Sequence, residues 1–302
     1  PHVGHRLTLG PRHPVRRGYS QLQGLAAARR YGFPGRRIRC IGVTGTDGKT
    51  TTTEMLAHIL RSAGQRILSI STAQVHLDTE QLPSDKRTTP SPWRLQRLLD
   101  EATTAGCESA VLEVSSHAIA QGRVAGIPFA VGVFTNLSPE HLDYHKTMAE
   151  YANTKKRLVT DLLAPEGTAV INADDEFGGQ WLAELRQAGR QPLSFSVASE
   201  GGASLTASEA GQRPQGVGAI LHDTTSDATH KLFLPMFGVF NLENALAALL
   251  AARAVGVELE QGIAALKGFV GVPGRMEEIQ SDQDFQIFVD FAVTPGALGK
   301  LL

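Results

Sequence analysis

The stretch Thr44-Gly45-Thr46-Asp47-Gly48-Lys49-Thr50-Thr51 follows an apolar run at 38–43 and precedes a segment with apolar residues at three- and four-residue spacing. Successive backbone N–H groups in a glycine-bearing turn between strand and helix cup phosphate oxygens, and the helix end adds partial positive charge. In that setting Lys49 reaches the β and γ phosphates, and Thr50 supplies the hydroxyl that a phosphate loop sets on magnesium. The loop 45–52 therefore reads as a site for the phosphates of ATP. Val43 stands where the general pattern has glycine, so the match is to a subtype. The plain alternative is a turn that happens to hold a lysine; the strand-like run before it and the helical period after it weigh against that.

A second group of polar residues closes two further apolar runs. Glu113-Val114-Ser115-Ser116-His117 ends one, Gln121-Gly122-Arg123 follows, and 134–145, reading Phe-Thr-Asn-Leu-Ser-Pro-Glu-His-Leu-Asp-Tyr-His, ends the next. Ligands of parallel sheets bind beyond the carboxyl ends of the strands, where these residues fall. Ser115 and His117 lack the glycine elbow of a hydrolase nucleophile. His141 and His145 have the i, i+4 spacing of helical zinc ligands, yet no third ligand stands at a familiar spacing and no Glu follows His141 directly. Taken alone, Lys155 to Arg157 read as a solvated basic helix face, and Asn241 and Asn244 as residues of a helix N-terminus.

Such residues need a frame to bring them together. Short runs at 38–43, 66–70, 110–114, 130–134, 168–172 and 193–197 alternate with helical periods at 51–63, 92–105, 148–162 and 181–188. That alternation predicts an α/β fold, a mostly parallel sheet with helices on both faces. Runs at 219–222 and 231–235 flank a polar stretch and predict a small antiparallel side sheet. Helices follow at 241–255 and 258–268, with Gly256 suited to the cap between them, and a new strand starts at 286–290.

The 302 residues exceed one average domain. The expected division is a remnant and linker at 1–36, a full central domain at 37–281, and the start of another domain at 282–302. Lys and Arg number 29 against 30 for Asp and Glu, which leaves no field to hold nucleic acid or an anionic membrane surface. Apolar stretches such as 127–134 fall far short of the ~20 residues of a membrane helix. Cys40 and Cys107 are too few for a disulfide framework and fit a reducing cytoplasm. The N-terminus has neither an initiator Met nor an apolar signal core, as a cut edge would look.

Together these blocks resemble the Mur ligase family, and within it the branch that adds the third residue of the peptidoglycan stem peptide. The similarity runs from about Tyr31 to the last residue. It takes in Thr88-Thr89-Pro90-Ser91-Pro92, Lys155-Lys156-Arg157-Leu158, Asn241-Leu242-Glu243-Asn244-Ala245, Gly271-Val272-Pro273-Gly274-Arg275-Met276-Glu277 and Val289-Asp290-Phe291-Ala292-Val293-Thr294-Pro295. The resemblance implies an ATP-dependent amide ligase. A substrate carboxylate attacks the γ-phosphate to give an acyl phosphate and ADP, and an amine then displaces phosphate. Bringing two anions together calls for magnesium and fixed positive charge.

By the same resemblance, Thr46, Asp47, Gly48, Lys49, Thr50, Thr51, Asn244, Arg275 and Asp290 contact the nucleotide. Thr50 and Glu113 hold the ATP magnesium, His141 helps hold a second ion, and Lys155 is carbamylated into a carboxylate-like group that orients magnesium. Lys49, His141 and Lys155 are thus the catalytic candidates. Thr88, Thr89, Ser115, Gln121 and Arg123 match contacts to a UDP-muramyl dipeptide, and the amine comes from diaminopimelate or lysine; a monomer is expected.

The pattern is not followed throughout. Asp47 replaces an Asn, Glu140 an Asp, Phe291 a Tyr, Val293 a His and Gly296 an Asp, which puts the chemistry at the end of the chain in question. The family's uridine-binding and amino-acid-binding domains are expected outside this chain, apart from a trailing helix at 19–34, so the chain alone is expected to ligate poorly or not at all. Two other readings stay open: a non-catalytic nucleotide-binding module, and a folylpolyglutamate or cyanophycin ligase, against which the Ser-Ser-His and His-Leu-Asp-Tyr-His blocks speak.

Overall fold

The computed structural model describes residues 14–84, 87–198, 202–279 and 285–301. Residues 1–13 of the expected leading remnant, and the boundary expected between 281 and 282, lie outside the described residues. The first half of the chain runs α1 (Pro14–Arg30), β1 (Arg39–Thr44), α2 (Lys49–Ser62), β2 (Ile67–Ile70), β3 (Val75–Leu77), β4 (Glu80–Leu82), α3 (Pro92–Thr104), β5 (Ser109–Glu113), α4 (Ser116–Ala120) and β6 (Phe129–Phe134). Next come α5 (Leu142–His145), α6 (Met148–Lys156), β7 (Leu163–Asn172), α7 (Glu176–Gln187), β8 (Leu193–Ser196), β9 (Leu205–Arg213), β10 (Gly216–Asp223) and β11 (Ala228–Leu234). The last elements are α8 (Asn241–Arg253), α9 (Leu259–Leu266), β12 (Glu277–Ile279), β13 (Ile287–Val289) and α10 (Pro295–Leu301).

Eleven strands form one sheet in the order β11-β10-β9-β8-β7-β6-β1-β5-β2-β3-β4. From β9 through β2 every neighbouring pair is parallel. Antiparallel strands extend it at both ends, β10 and β11 at one and β3 and β4 at the other. The central strands are buried on both faces, which is why they read as unbroken apolar runs. In β1, Ile41 and Val43 join a layer built from α2, α8 and α9, including Met55, Leu56, Leu246 and Ile263. Cys40 faces the other way, into a layer with Leu95, Leu98 and Leu99 of α3. Burial pushes its thiol up to about 12, so it packs as a small hydrophobe.

β1 lies between β5 and β6, and the chain visits these neighbours in turn from opposite sides. The carboxyl ends of β1, β5 and β6 therefore open onto a crevice at the point where strand order reverses, the usual ligand position in such sheets.

Some element boundaries differ from the sequence reading for identifiable reasons. The antiparallel segment expected at 219–235 is a three-stranded meander, β9 to β11. It continues the main sheet through the parallel pairs Phe195↔Leu205 and Ser196↔Thr206, and the separate small antiparallel sheet is β12 with β13. The helix expected at 148–162 ends at Lys156 and tightens into a 3₁₀ turn at Arg157–Val159. The helix expected at 181–188 starts at Glu176, because the Asp175 carboxylate caps it by accepting from the Gly178 N–H.

Candidate functional site

Beyond Thr44 the chain turns through Gly45 to Gly48 and enters α2, and this loop is held from the end of β6. The Thr46 N–H donates to the Asn136 carbonyl at 2.9 Å, the Asp47 N–H to Asn136 Oδ1 at 2.9 Å, and Thr135 Oγ1 to the Asp47 carbonyl at 2.7 Å. Gly48 sits at φ 80, where an L side chain is strained, and a Cβ there would meet Asn244 Oδ1 at 2.2 Å. Glycine is thus required twice over, for backbone conformation and for the approach of α8. Asn244 Oδ1 also accepts from Thr52 Oγ1 at 3.3 Å, and its amide donates to Asn241 Oδ1 at 2.9 Å. Lys49 folds back, its Nζ donating to the Thr46 carbonyl at 2.6 Å.

The loop lines a cavity of about 360 Å³, a size suited to a nucleotide's phosphate end. Glu113, at the end of β5 and 1% exposed, is the centre of its acidic side. One oxygen, Oε2, receives Thr50 Oγ1 at 3.0 Å, the Thr72 N–H at 2.7 Å and Thr72 Oγ1 at 3.0 Å. The hydroxyls of Thr72 and Thr88 are 3.0 Å apart, and Thr89 Oγ1 donates to the Glu113 carbonyl at 2.8 Å. A carboxylate and hydroxyls converging at the mouth of a phosphate loop form an oxygen-only donor set, which fits magnesium.

Opposite stands Lys155, on α6 and 1% exposed, its Nζ donating to the Gly45 carbonyl and lying 4.6 Å from the centre of the Tyr151 ring. Burial, reinforced by the charge of Lys49, holds its pKa well below the usual lysine range. Tyr151 reaches Glu140 Oε2 at 3.4 Å and Thr46 Oγ1 at 3.3 Å. His141, with φ 55, ends the loop before α5, and its Nε2 is 3.5 Å from Glu140 Oε2. Its ring stands edge-on to His117, centroids 4.8 Å apart. Burial, then the charge of His141, lowers the His117 pKa. His145 is fully buried with Nε2 3.0 Å from Ser116 Oγ, and burial lowers it to about 4.

The fourth wall comes from the end of the chain. Arg275 Nη2 approaches Thr50 Oγ1 at 3.5 Å, and its Nη1 donates to the Phe291 carbonyl at 3.0 Å. Asp290 accepts from the Met276 N–H at 2.8 Å, and Thr294 Oγ1 lies 3.5 Å from both carboxylate oxygens of Asp47. Val293, one of the departures noted above, lines the same cavity and is 64% exposed.

Most sequence candidates thus meet in one cavity: Thr46, Asp47, Gly48, Lys49, Thr50, Thr51, Thr88, Glu113, Ser115, His141, Lys155, Asn244, Arg275 and Asp290 all line it. Thr89, Gln121 and Arg123 do not. They form an adjoining network in which the Arg123 guanidinium donates to Gln121 Oε1 at 2.6 Å and to the Thr89 carbonyl at 2.9 Å. Thr72, Asn136, Tyr151 and Phe240 also line the cavity and were not singled out. Thr72 carried a usable signal, since it lies just past a predicted strand, as Thr135 does. Among the described residues, no three His, Cys, Asp or Glu side chains are grouped to hold a metal by themselves, and no helix is long and apolar enough to cross a membrane.

Comparison with known proteins gives a consistent picture. The family described as Mur ligase middle domain matches residues 43–252. A UDP-N-acetylmuramoyl-L-alanyl-D-glutamate–2,6-diaminopimelate ligase of Trichormus variabilis is 42% identical over 283 residues, 91% of this chain and 55% of the relative. A UDP-N-acetylmuramyl-tripeptide synthetase of a Roseiflexus species is 40% identical over 292 residues, 93% and 56% of the two chains. A solved UDP-N-acetylmuramoyl-L-alanyl-D-glutamate–2,6-diaminopimelate ligase superposes with a TM-score of 0.76 at 30% identity, covering 95% of this chain and 57% of its own. The chain therefore spans a little over half the length of the relatives it matches.

Proposed function

This chain belongs to the Mur ligase family, and on that premise we propose that it carries the ATP site of an amide ligase of peptidoglycan precursor synthesis. The acceptor is UDP-MurNAc-L-Ala-D-Glu, whose D-Glu carboxylate attacks the γ-phosphate to release ADP. The amine of diaminopimelate then attacks the acyl phosphate and displaces inorganic phosphate. Relatives named for that amino acid support it over lysine. The ATP-binding domain is 37–281, with 1–36 and 282–302 belonging to its flanks. A reducing cytoplasm, which suits the two free thiols, and a monomeric state are part of the same proposal.

The observation that carries the reading is the 3.0 Å approach of Thr50 Oγ1 to Glu113 Oε2 at the mouth of a loop whose Gly48 is pressed against Asn244. Loop N–H groups bind the phosphates, Asn244 braces the loop, and Thr46, Asp47, Thr51 and Asp290 shape the pocket. Thr50 and Glu113 would hold magnesium, with His141 and carbamylated Lys155 serving a second ion; bound there, the metal neutralises the charge that builds as phosphoryl moves. Lys49 leaves the Thr46 carbonyl for the β and γ phosphates, and Arg275 adds a second fixed positive charge. Thr88 and Ser115 face the acceptor side, while Gln121 orients Arg123 towards an acceptor anion. Titration with a fluorescent ATP analogue and magnesium tests this: binding by the parent and at least tenfold weaker binding by Lys49→Ala are expected. Equal binding by the two would overturn the assignment.

A further inference from the structure

Glu54 is a buried carboxylate, 4% exposed, that the proposed reaction does not use. It lies one turn beyond Thr50 on the same face of α2. Its two oxygens accept from Ser71 Oγ at 2.6 Å and from Gln74 Nε2 at 2.7 Å. Ser71 Oγ in turn accepts from the Ala73 and Gln74 N–H groups at 3.2 and 3.1 Å, and the Ser71 N–H donates to the Gln74 carbonyl at 2.9 Å. The 71–74 turn is therefore closed on itself and tied to α2 through one side chain. Thr72, inside that turn, gives Glu113 Oε2 both its N–H and its hydroxyl.

We propose that Glu54 is a positioning residue for Glu113: it fixes the 71–74 turn against α2, and through Thr72 it sets the Glu113 carboxylate opposite Thr50. The proposal rests on the assignment of Thr50 and Glu113 to magnesium in the previous subsection. A carboxylate is a costly way to hold a turn that a neutral side chain could fill, because it must be desolvated. Burial raises the Glu54 pKa, and the nearby charge of Glu113 adds to that, while Ser71, Gln74 and Arg61 oppose it. What the carboxylate alone provides is two acceptors at fixed separation, one for each end of the turn. Thr50 and Glu54 thus bind Glu113 from two directions, one directly and one through the turn, so that α2 presents both the phosphate loop and the orientation of the metal-holding group.

The test compares affinity for a fluorescent ADP analogue with and without magnesium in the parent, Glu54→Gln, Glu54→Leu, Glu113→Gln and the Glu54→Leu/Glu113→Gln pair. Metal-free affinity should be the same in the parent and the Glu54 variants. The gain on adding magnesium should fall about tenfold in Glu54→Leu, the scale seen when a group supporting a metal ligand is lost. Glu54→Gln, which keeps the Ser71 contact, should fall between. In the Glu113→Gln background Glu54→Leu should cost nothing further, since both act at one oxygen. Hydrogen exchange without metal gives a second readout: the Thr72 amide should exchange faster in Glu54→Leu while α8 keeps its protection. If Glu54→Leu does not fold, Ser71→Ala, which cuts the same link, takes its place. A full magnesium gain in Glu54→Leu, or additive losses with Glu113→Gln, would overturn this proposal alone. A parent that gains nothing from magnesium would overturn the site assignment and this proposal with it.

Discussion

A lysine sealed to 1% exposure beside a tyrosine ring and a backbone carbonyl cannot easily keep its charge. The carbamylation proposed for Lys155 needs an uncharged amine, and burial moves its pKa in that direction; the carbamate would place an anion within reach of the phosphate loop. In ¹³C-bicarbonate buffer the protein should therefore show a carbamate resonance that Lys155→Arg lacks; the same spectrum from both would remove Lys155 from the metal site. His145 illustrates the same physics with a different readout. Its folded pKa of about 4 lies below the ordinary value of 6.5, so the native state stays neutral while the unfolded chain takes up a proton as pH falls. Stability is then lost between pH 6.5 and 4, by roughly 3 kcal/mol across those 2.5 units. Urea melts should show that acid slope in the parent and a flatter one in His145→Gln; equal slopes would mean another group is responsible.

The elements meet at glycines and caps, and there the sequence was only partly readable. The turn from β1 to α2 was legible because an apolar run, two glycines, a lysine and two threonines leave little else for the segment to be. The helix starting at Glu176 was placed late because Asp175 was not recognised as its cap. β9 was missed because its polar residues give no apolar run; its pairing with β10 determines it, not its own composition. What the sequence did not reveal at Gly48 is the partner: Asn244, on a helix far along the chain, occupies the space of the missing side chain. Gly48→Ala combines a left-handed backbone with a 2.2 Å clash, which costs on the order of 1–3 kcal/mol. It should abolish nucleotide binding and lower the melting temperature, and Asn244→Ala should restore part of the stability but not the binding. Full restoration of both would show that the clash with Asn244, and not the backbone, was the whole reason for glycine.

At the scale of the molecule, the cavity is assembled from segments that no local pattern connects. Parallel strands β1, β5 and β6 bring the phosphate loop, Glu113 and Thr135 side by side, and that convergence follows from sheet topology, so it was foreseeable once the strands were found. The turn holding Thr72 follows from the same rule and could have been read. The adjoining wall is different. Thr294 reaches the Asp47 carboxylate across 247 residues, Arg275 spans from Thr50 to Phe291, and the Phe291 N–H donates to the Gly274 carbonyl at 3.0 Å. These contacts depend on how 271–279 and 285–301 fold back over the cavity, which spacing along the chain does not encode. They also make a prediction about the whole fold. If 271–279 and 285–301 form a true wall of the nucleotide site, an ATP analogue with magnesium should slow amide exchange at Met276 and Phe291 as well as at 46–52. Each of those two amides already donates to a partner within this wall, so the ligand adds protection by suppressing its local opening. Arg275→Ala removes the link between the wall and Thr50, and should leave protection at 46–52 while cancelling it at Met276 and Phe291. Protection confined to the phosphate loop in the parent would mean that the wall closes without regard to nucleotide, and that Arg275 and Asp290 belong to structure and not to the site.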